Sequence, residues 1–362
     1  MKFIRLSHRN PTRCDSIAEA ISRPGFGSQF TDHMVVIEYD ANNGGWHSAI
    51  VGPRQPLLID PAAGVLHYAQ EIFEGLKAYR HSDGGIALFR PLENARRFNA
   101  SARRLAMPEI PEKLFLKSLQ ELVEVDKNWV PEATNGTLYL RPFMIATEAF
   151  LGVRPATKYK FVVIASPSGN YFRSGESTIN IWVSDYTRAA PGGTGEAKCG
   201  GNYAASLVPT GEAFSHGYDQ VMFLDAVERK WIEELGGMNL FFVFADGRIL
   251  TPPLGGTILA GITRDSLISL LRDMGHEVIE DRYSIANLKR DVRSNALVEV
   301  IACGTAATVT SVGRVKSSKY NIVIGSESAG PVAKAARDKL IAIQTGEASD
   351  SFGWVMRIGN AS

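Results

Sequence analysis

Residues 191–206 read PGGTGEAKCGGNYAAS, five glycines crowded around one lysine, Lys198, with Tyr203 five positions later. Glycine lets a backbone approach a ligand closely and take positive φ. Three readings of the stretch stand open: a surface loop with an exposed lysine, a phosphate loop, or a lysine among small residues that leave room for a planar cofactor. The phosphate pattern G-x-x-x-x-G-K-[ST] is not met, because Cys199 follows Lys198. The dinucleotide pattern G-x-G-x-x-G fails as well, since Lys198 takes the last glycine's place. In the third reading a poorly solvated lysine loses proton affinity, and its neutral amine can attack an aldehyde.

Downstream, WIEELGGMN at 231–239 places Glu233 and Glu234 before a Gly-containing turn that leads into an apolar strand. Paired glutamates commonly mark a solvated face; a buried one against a pyridine nitrogen would instead keep that nitrogen protonated, as an electron-sink cofactor requires. Two segments are suited to an anion. LAGIT at 259–263 precedes a helix expected to start near Arg264, so the N–H groups of Ile262 and Thr263 can face a phosphate, or Thr263 can be a plain N-cap. CGTAATVTS at 303–311 is a second Gly-Thr turn after an apolar strand. Upstream, Arg97 borders the apolar face of a helix expected over 92–106, while Arg96 and Arg103 point towards solvent.

The rest of the chain is mixed. Strands are expected at 33–40, 76–90 (folded at Ser82-Asp83-Gly84-Gly85), 138–145, 159–165, 178–185, 220–225 and 239–250 (folded at Asp246-Gly247). Helices are expected at 115–130, with Trp129 on its apolar stripe, at 264–274 and at 332–345. The first thirty residues read as an arm packed onto the body. Without regular βαβ alternation the pattern argues for α+β. At 362 residues the chain has room for two domains. Their boundaries are set at 1–171, a small N-terminal domain, and 179–362, a larger C-terminal one carrying Lys198, joined by a Ser/Gly-rich linker at 172–178. A cleft between two such domains is a common ligand location. With 39 Lys+Arg against 38 Asp+Glu, charge gives no argument for a nucleic-acid or membrane partner. The apolar runs are too short to span a bilayer, and three cysteines without metal-like spacing suit a cytoplasmic, reducing location. No metal site is expected.

Eight segments, taken together and in order, resemble the branched-chain amino acid aminotransferases, fold-type IV enzymes that use pyridoxal 5′-phosphate (PLP) and share the D-amino acid aminotransferase-like fold. They are GFGSQFTDHM (25–34), LHYAQEIFEGLKAYR (66–80), FRPLENARRF (89–98), LYLRPF (138–143), GEAKCGGNYAAS (195–206), EELGGMNLFF (233–242), TPPLGGTILAGITR (251–264) and CGTAA (303–307). The resemblance implies that Lys198 bonds covalently to PLP and moves the catalytic proton. It implies that Glu234, not Glu233, pairs with the pyridine nitrogen, and that Tyr203 lies near the cofactor's O3′. Arg97, Ile262, Thr263 and Thr305 would grip the phosphate. Phe30, Tyr68, Phe73, Tyr139, Arg141 and Tyr171 would line the substrate side, with the N–H groups of Ala306 and Ala307 on the substrate carboxylate. The family is dimeric with active sites at the subunit interface, so Tyr68 is expected to reach across from the partner.

The function implied is reversible ping-pong transfer of the amino group of L-leucine, L-isoleucine or L-valine to 2-oxoglutarate. Glutamate must then share the pocket, with Arg141 and the tyrosines as candidates to receive its side-chain carboxylate. Other fold-type IV enzymes, a D-amino acid aminotransferase or an aminodeoxychorismate lyase, are the alternatives, followed by a non-catalytic phosphate-ligand-binding protein. The redox C-x-x-C of mammalian members is absent, its positions being Ala307 and Thr310. Cys199 and Cys303 read as small packing groups, and His33 and His67 as structural.

Overall fold

The strand Thr137–Ala146 shows how this sequence builds its sheets: its residues alternate strictly between half-buried and buried. Leu138, Leu140, Met144 and Ala146 enter the core, while Tyr139 and Arg141 share the opposite face. Period-two alternation of this kind is what a pleated strand imposes. The computed structural model describes residues 1–169, 178–325 and 328–359. Tyr171 and nearly all of the expected linker at 172–178 therefore lie outside the described residues.

The chain divides into two compact units, Met1–Tyr171 with Ala197–Gly200 and Ala342–Ser362, and Phe172–Glu196 with Gly201–Ile341. Lys198 thus groups with the first unit, although the sequence places it in the C-terminal half. Its neighbours Ala197 and Cys199 are buried in the first unit's core.

In the first unit, nine strands form one sheet among the described residues. Its order runs Ile4–Arg5, Gly45–Pro53, His33–Asp40, Lys158–Ser168, Thr137–Ala146, Leu76–Arg80, Ile86–Phe89, Val355–Arg357, with Glu71–Phe73 added beside Thr137–Ala146. Pairing is antiparallel except at Ile4–Arg5, which ties the expected N-terminal arm to Gly45–Pro53. The helices Pro91–Arg104 and Glu112–Val125 pack on this sheet through Phe98 and Phe115, whose rings meet each other and Phe161. The second of these stops before the expected 130. Buried Asp126 turns aside to accept from the His33 N–H and to pair with its Nδ1 (2.7 Å), and Trp129 sits on a separate short turn. His33 is structural, as its sequence context suggested.

In the second unit nine described strands form a mixed sheet, beginning at the edge with Ile232–Leu235, Gln220–Leu224, Thr178–Val183 and Thr308–Ser317. Leu297–Gly304, Asn239–Phe244, Arg248–Thr251 and Glu277–Glu280 complete the path, and Tyr320–Val323 flanks Thr308–Ser317. Helices Leu207–Ser215, Ile262–Asp273 and Ile285–Arg293 accompany it. Both units are α+β, as the irregular alternation of segments indicated. No helix among the described residues is long and apolar enough to cross a membrane.

The Phe98, Phe115 and Phe161 cluster is fully buried. Phe98→Ala is expected to cost about 3–5 kcal/mol, read as a lowered urea midpoint by near-ultraviolet circular dichroism.

Candidate active site

In the first unit the site is organised by one buried carboxylate. Glu74 is fully buried and accepts from Arg97 Nε (2.7 Å), an Arg97 terminal nitrogen (2.8 Å) and Asn94 Nδ2 (2.7 Å). Burial alone would push its carboxyl up, but the Arg97 guanidinium, aided by Lys198 and Asn94, holds it below the ordinary value. Lys198 is fixed through its backbone: its N–H donates to Ser101 Oγ (2.9 Å), and its carbonyl accepts from the Phe73 N–H (3.0 Å). Its ammonium nitrogen lies 4.9 Å from the centre of the Phe73 ring. Arg141 lies 4.8 Å over the same ring and donates to the Tyr139 hydroxyl (3.0 Å). Arg141 Nε is buried with no hydrogen-bond partner among the described residues.

Two glycines are required by close approach here. A Cβ on Gly75 would collide with the Tyr139 phenol, and one on Gly200 with the Glu71 carboxylate. Burial pushes the Glu71 carboxyl up, against the Gly200 N–H and the Arg141 charge. Phe26 meets Tyr139 edge-on, whereas Phe30 packs under Arg54.

In the second unit both members of the glutamate pair are buried, so the solvated-face reading of Glu233 is corrected. The two neighbours differ in what they touch. Glu234 pairs with Arg188 (2.6 Å) and accepts from Asn239 Nδ2 (3.2 Å) and the Leu259 N–H (3.3 Å). Glu233 accepts from the Thr257 hydroxyl (2.6 Å), and burial pushes its carboxyl up. Asn239 also donates to the Leu259 carbonyl (3.1 Å), and its Oδ1 lies where a Cβ on Gly261 would be. That contact brings Glu234 next to the start of the helix Ile262–Asp273, whose N-cap is Gly261. Thr263 is therefore inside the first turn, not a cap, and Gly261 offers no capping side chain to the first N–H groups. The strand that pairs Cys303 with Asn239 ends at Gly304, and the turn Thr305, Ala306 and Ala307 follows directly. Cys303 is fully buried, which pushes its thiol up to about 12; Cys199 is buried too, and both behave as packing groups.

Each unit thus gathers part of the expected set. Phe73, Arg97, Tyr139, Arg141 and Lys198 come together in the first; Glu234 and the N–H groups of Ile262 and Thr263 come together in the second. Tyr203 is half-buried on the short helix Gly200–Ala204. Tyr68 is exposed beside Leu151, to whose carbonyl its hydroxyl donates. Sequence reasoning missed Glu74, Arg188 and Asn239 as organising residues. Glu74 and Asn239 lie inside quoted motifs, and Arg188 carries no local signal at all. Among the described residues no His/Cys/Asp/Glu group is arranged to hold a metal.

A sequence profile described as amino-transferase class IV matches residues 71–315. The chain belongs to the class IV aminotransferases. A probable branched-chain-amino-acid aminotransferase of Streptomyces coelicolor is 53% identical over 340 residues, 93% of each chain. A branched-chain-amino-acid aminotransferase of Mycobacterium tuberculosis is 51% identical over 99% of each. Among solved structures, the Escherichia coli branched-chain amino acid aminotransferase has 29% identity and a TM-score of 0.76, covering 91% of this chain and 99% of that one. A second solved branched-chain amino acid aminotransferase, complexed with N-(5′-phosphopyridoxyl)-L-glutamate, has 28% identity and a TM-score of 0.72 over the same shares. Class IV aminotransferases are PLP-dependent. Taken unit by unit, the groups present are of the kind such a cofactor takes: an amine in the first, and a buried anchored carboxylate and an uncapped helix start in the second.

Glu74→Gln removes the buried carboxylate that Arg97 pairs with. It is expected to cost about 3–5 kcal/mol, seen as a lower thermal midpoint. Because the native carboxyl sits below its ordinary value near 4.5, this stabilisation is present above that value and is lost as pH falls through the native one. The difference between wild type and variant should therefore shrink in acid.

Proposed function

We propose that the protein is a branched-chain amino acid transaminase, exchanging the amino group of L-leucine, L-isoleucine or L-valine with 2-oxoglutarate. The observation that carries this reading is the half-identity over nearly full length to aminotransferases of that name. PLP, when bound, supplies the electron sink that stabilises a carbanion at the substrate Cα. Lys198 would attach to it and, as a free amine, carry the proton between the substrate Cα and the cofactor's C4′. Glu234, fixed by Arg188 and Asn239, would hold a proton at the ring nitrogen, with Tyr203 at O3′. The N–H groups of Ile262 and Thr263, with Arg97 and Thr305, would bind the phosphate.

Phe30, Phe73, Tyr139 and Tyr171 would offer an apolar wall to leucine, isoleucine and valine, and Ala306 and Ala307 N–H groups to the α-carboxylate. Discrimination there should be modest, since one methylene is worth about 1–3 kcal/mol. Arg141, whose buried Nε has no hydrogen-bond partner among the described residues, is the group suited to the side-chain carboxylate of glutamate.

The working form is proposed to be a homodimer. Leu66, Tyr68, Leu151 and Val153 leave apolar surface exposed, Val153 at 86%. A partner covering them would bring Tyr68 to the other subunit's site. Three unpaired cysteines agree with a reducing, cytoplasmic location.

Purified protein should absorb in the visible range, lose that band on borohydride reduction, and turn over L-leucine with 2-oxoglutarate. Activity confined to D-alanine would instead point to a D-amino acid aminotransferase. Lys198→Ala should abolish turnover, and Glu234→Ala should slow it far more than Glu233→Ala; equal effects would reverse the glutamate assignment. Sedimentation should give twice the 39.4 kDa chain mass, and Val153→Asp should shift it towards the monomer.

A further inference from the structure

Successive side chains of a strand point to opposite faces. In Ile232–Leu235 one face therefore carries Glu234, and the other carries Glu233 into a separate cavity within the second unit. This cavity has a volume of about 310 Å³, room for a compact organic molecule. Its lining includes Trp231, Ile258, Pro252 and Pro253 as apolar surface, and Thr257 beside Glu233. Glu234, Lys198 and the other proposed transaminase residues are absent from that lining.

Glu233 has one oxygen engaged and one idle. Oε1 accepts from the Thr257 hydroxyl, while Oε2 is buried with no hydrogen-bond partner among the described residues. The residue as a whole is only 9% exposed. A buried acceptor left unmet is costly, so an occupant that donates to it is favoured.

The charge of the lining sets the sign of that occupant. Asp225, Glu228 and Glu233 face a single cation, Arg282, which is exposed at the surface. Asp225 is already saturated by the N–H groups of Val227, Glu228, Lys230 and Trp231, and Glu228 accepts from Trp231 Nε1 (2.9 Å). The idle acceptor is therefore Glu233 Oε2, and the lining itself carries three carboxylates to one guanidinium, with the Arg188 charge also reaching Glu233 from outside it.

We propose that this cavity is a binding site for a compact organic ammonium ion, which donates an N–H to Glu233 Oε2 and packs its carbon substituents against Trp231, Ile258 and the two prolines. The site is distinct from the proposed transaminase centre and does not rest on that reading.

The probe is triethylammonium chloride, titrated calorimetrically into the intact protein against an equal concentration of sodium chloride. It donates one N–H, and as a tertiary amine it cannot condense with an aldehyde, so binding is separate from transamination. Saturable binding in the millimolar range is expected, about tenfold weaker in Glu233→Gln, for the loss of a charge-assisted contact. Arg282→Glu, a surface change that removes the opposing cation, should tighten binding several-fold. This second variant decides the matter if Glu233→Gln fails to fold. Absence of saturable heat up to about 100 mM, a limit corresponding to negligible affinity, would overturn the site. So would equal binding by wild type and Glu233→Gln, or weaker binding by Arg282→Glu. Isovalerate binding there in place of the amine, lost in Arg282→Glu, would replace the ammonium with an anion and overturn the proposal.

Discussion

Glu74 has no exposed surface, and an ionised carboxylate in that position must be met on every side. Arg97 meets it with two hydrogen bonds and Asn94 with a third. Both donors stand on the helix Pro91–Arg104, three residues apart and so on one face. Ser101, four residues beyond Arg97, continues that face and takes the Lys198 N–H. The ion pair therefore does more than neutralise a charge: it sets the rotation of the helix, and the helix in turn places a segment that arrives from much later in the chain. Phe73, next to Glu74, closes the arrangement by donating its N–H to the Lys198 carbonyl. The lysine is held at both its backbone groups, while its amine stays directed over the Phe73 ring.

The second unit repeats the device with different parts. Arg188 pairs with buried Glu234 and also donates to the carbonyls of Gly195 and Thr257. One guanidinium thus ties the carboxylate to the glycine-rich loop and to the segment leading towards the helix start. Asn239 serves from the other side, joining Glu234, the Leu259 carbonyl and the close approach of Gly261. Its backbone register with Cys303 extends the link to the Gly-Thr turn. Glu234 is bonded through both oxygens, while Arg188 Nε is buried with no hydrogen-bond partner among the described residues.

Part of this architecture is legible in the sequence itself. Strands such as 33–40 and the hairpins at 82–85 and 246–247 follow from alternation and turn chemistry, which are local. The motifs that carry the family resemblance contain Lys198, Glu234 and Arg97. What stayed hidden was long-range pairing. Arg188 lies 46 positions from Glu234 in a stretch without periodicity, so nothing local announces the ion pair. The grouping of Ala197–Gly200 with the first unit is hidden for the same reason: it depends on Ser101 and Phe73, about a hundred residues earlier. The helix expected to run to 130 ends at Val125 because Asp126 is claimed by His33, a residue on a distant strand.

The glutamate pair shows where local and tertiary reasoning part. Two adjacent carboxylates suggest solvent, since burying both would ordinarily be prohibitive. A strand resolves this by sending them to opposite faces, where each finds its own environment. Among the described residues, one meets a guanidinium and an amide; the other meets a single hydroxyl and is left with an oxygen unmatched. The first has the surroundings of a carboxylate that must remain fixed and charged. The second has those of a group whose remaining acceptor is free for something else. Identity of residue type therefore says little about role here. The pleat assigns the faces, and the partners on each face assign the chemistry.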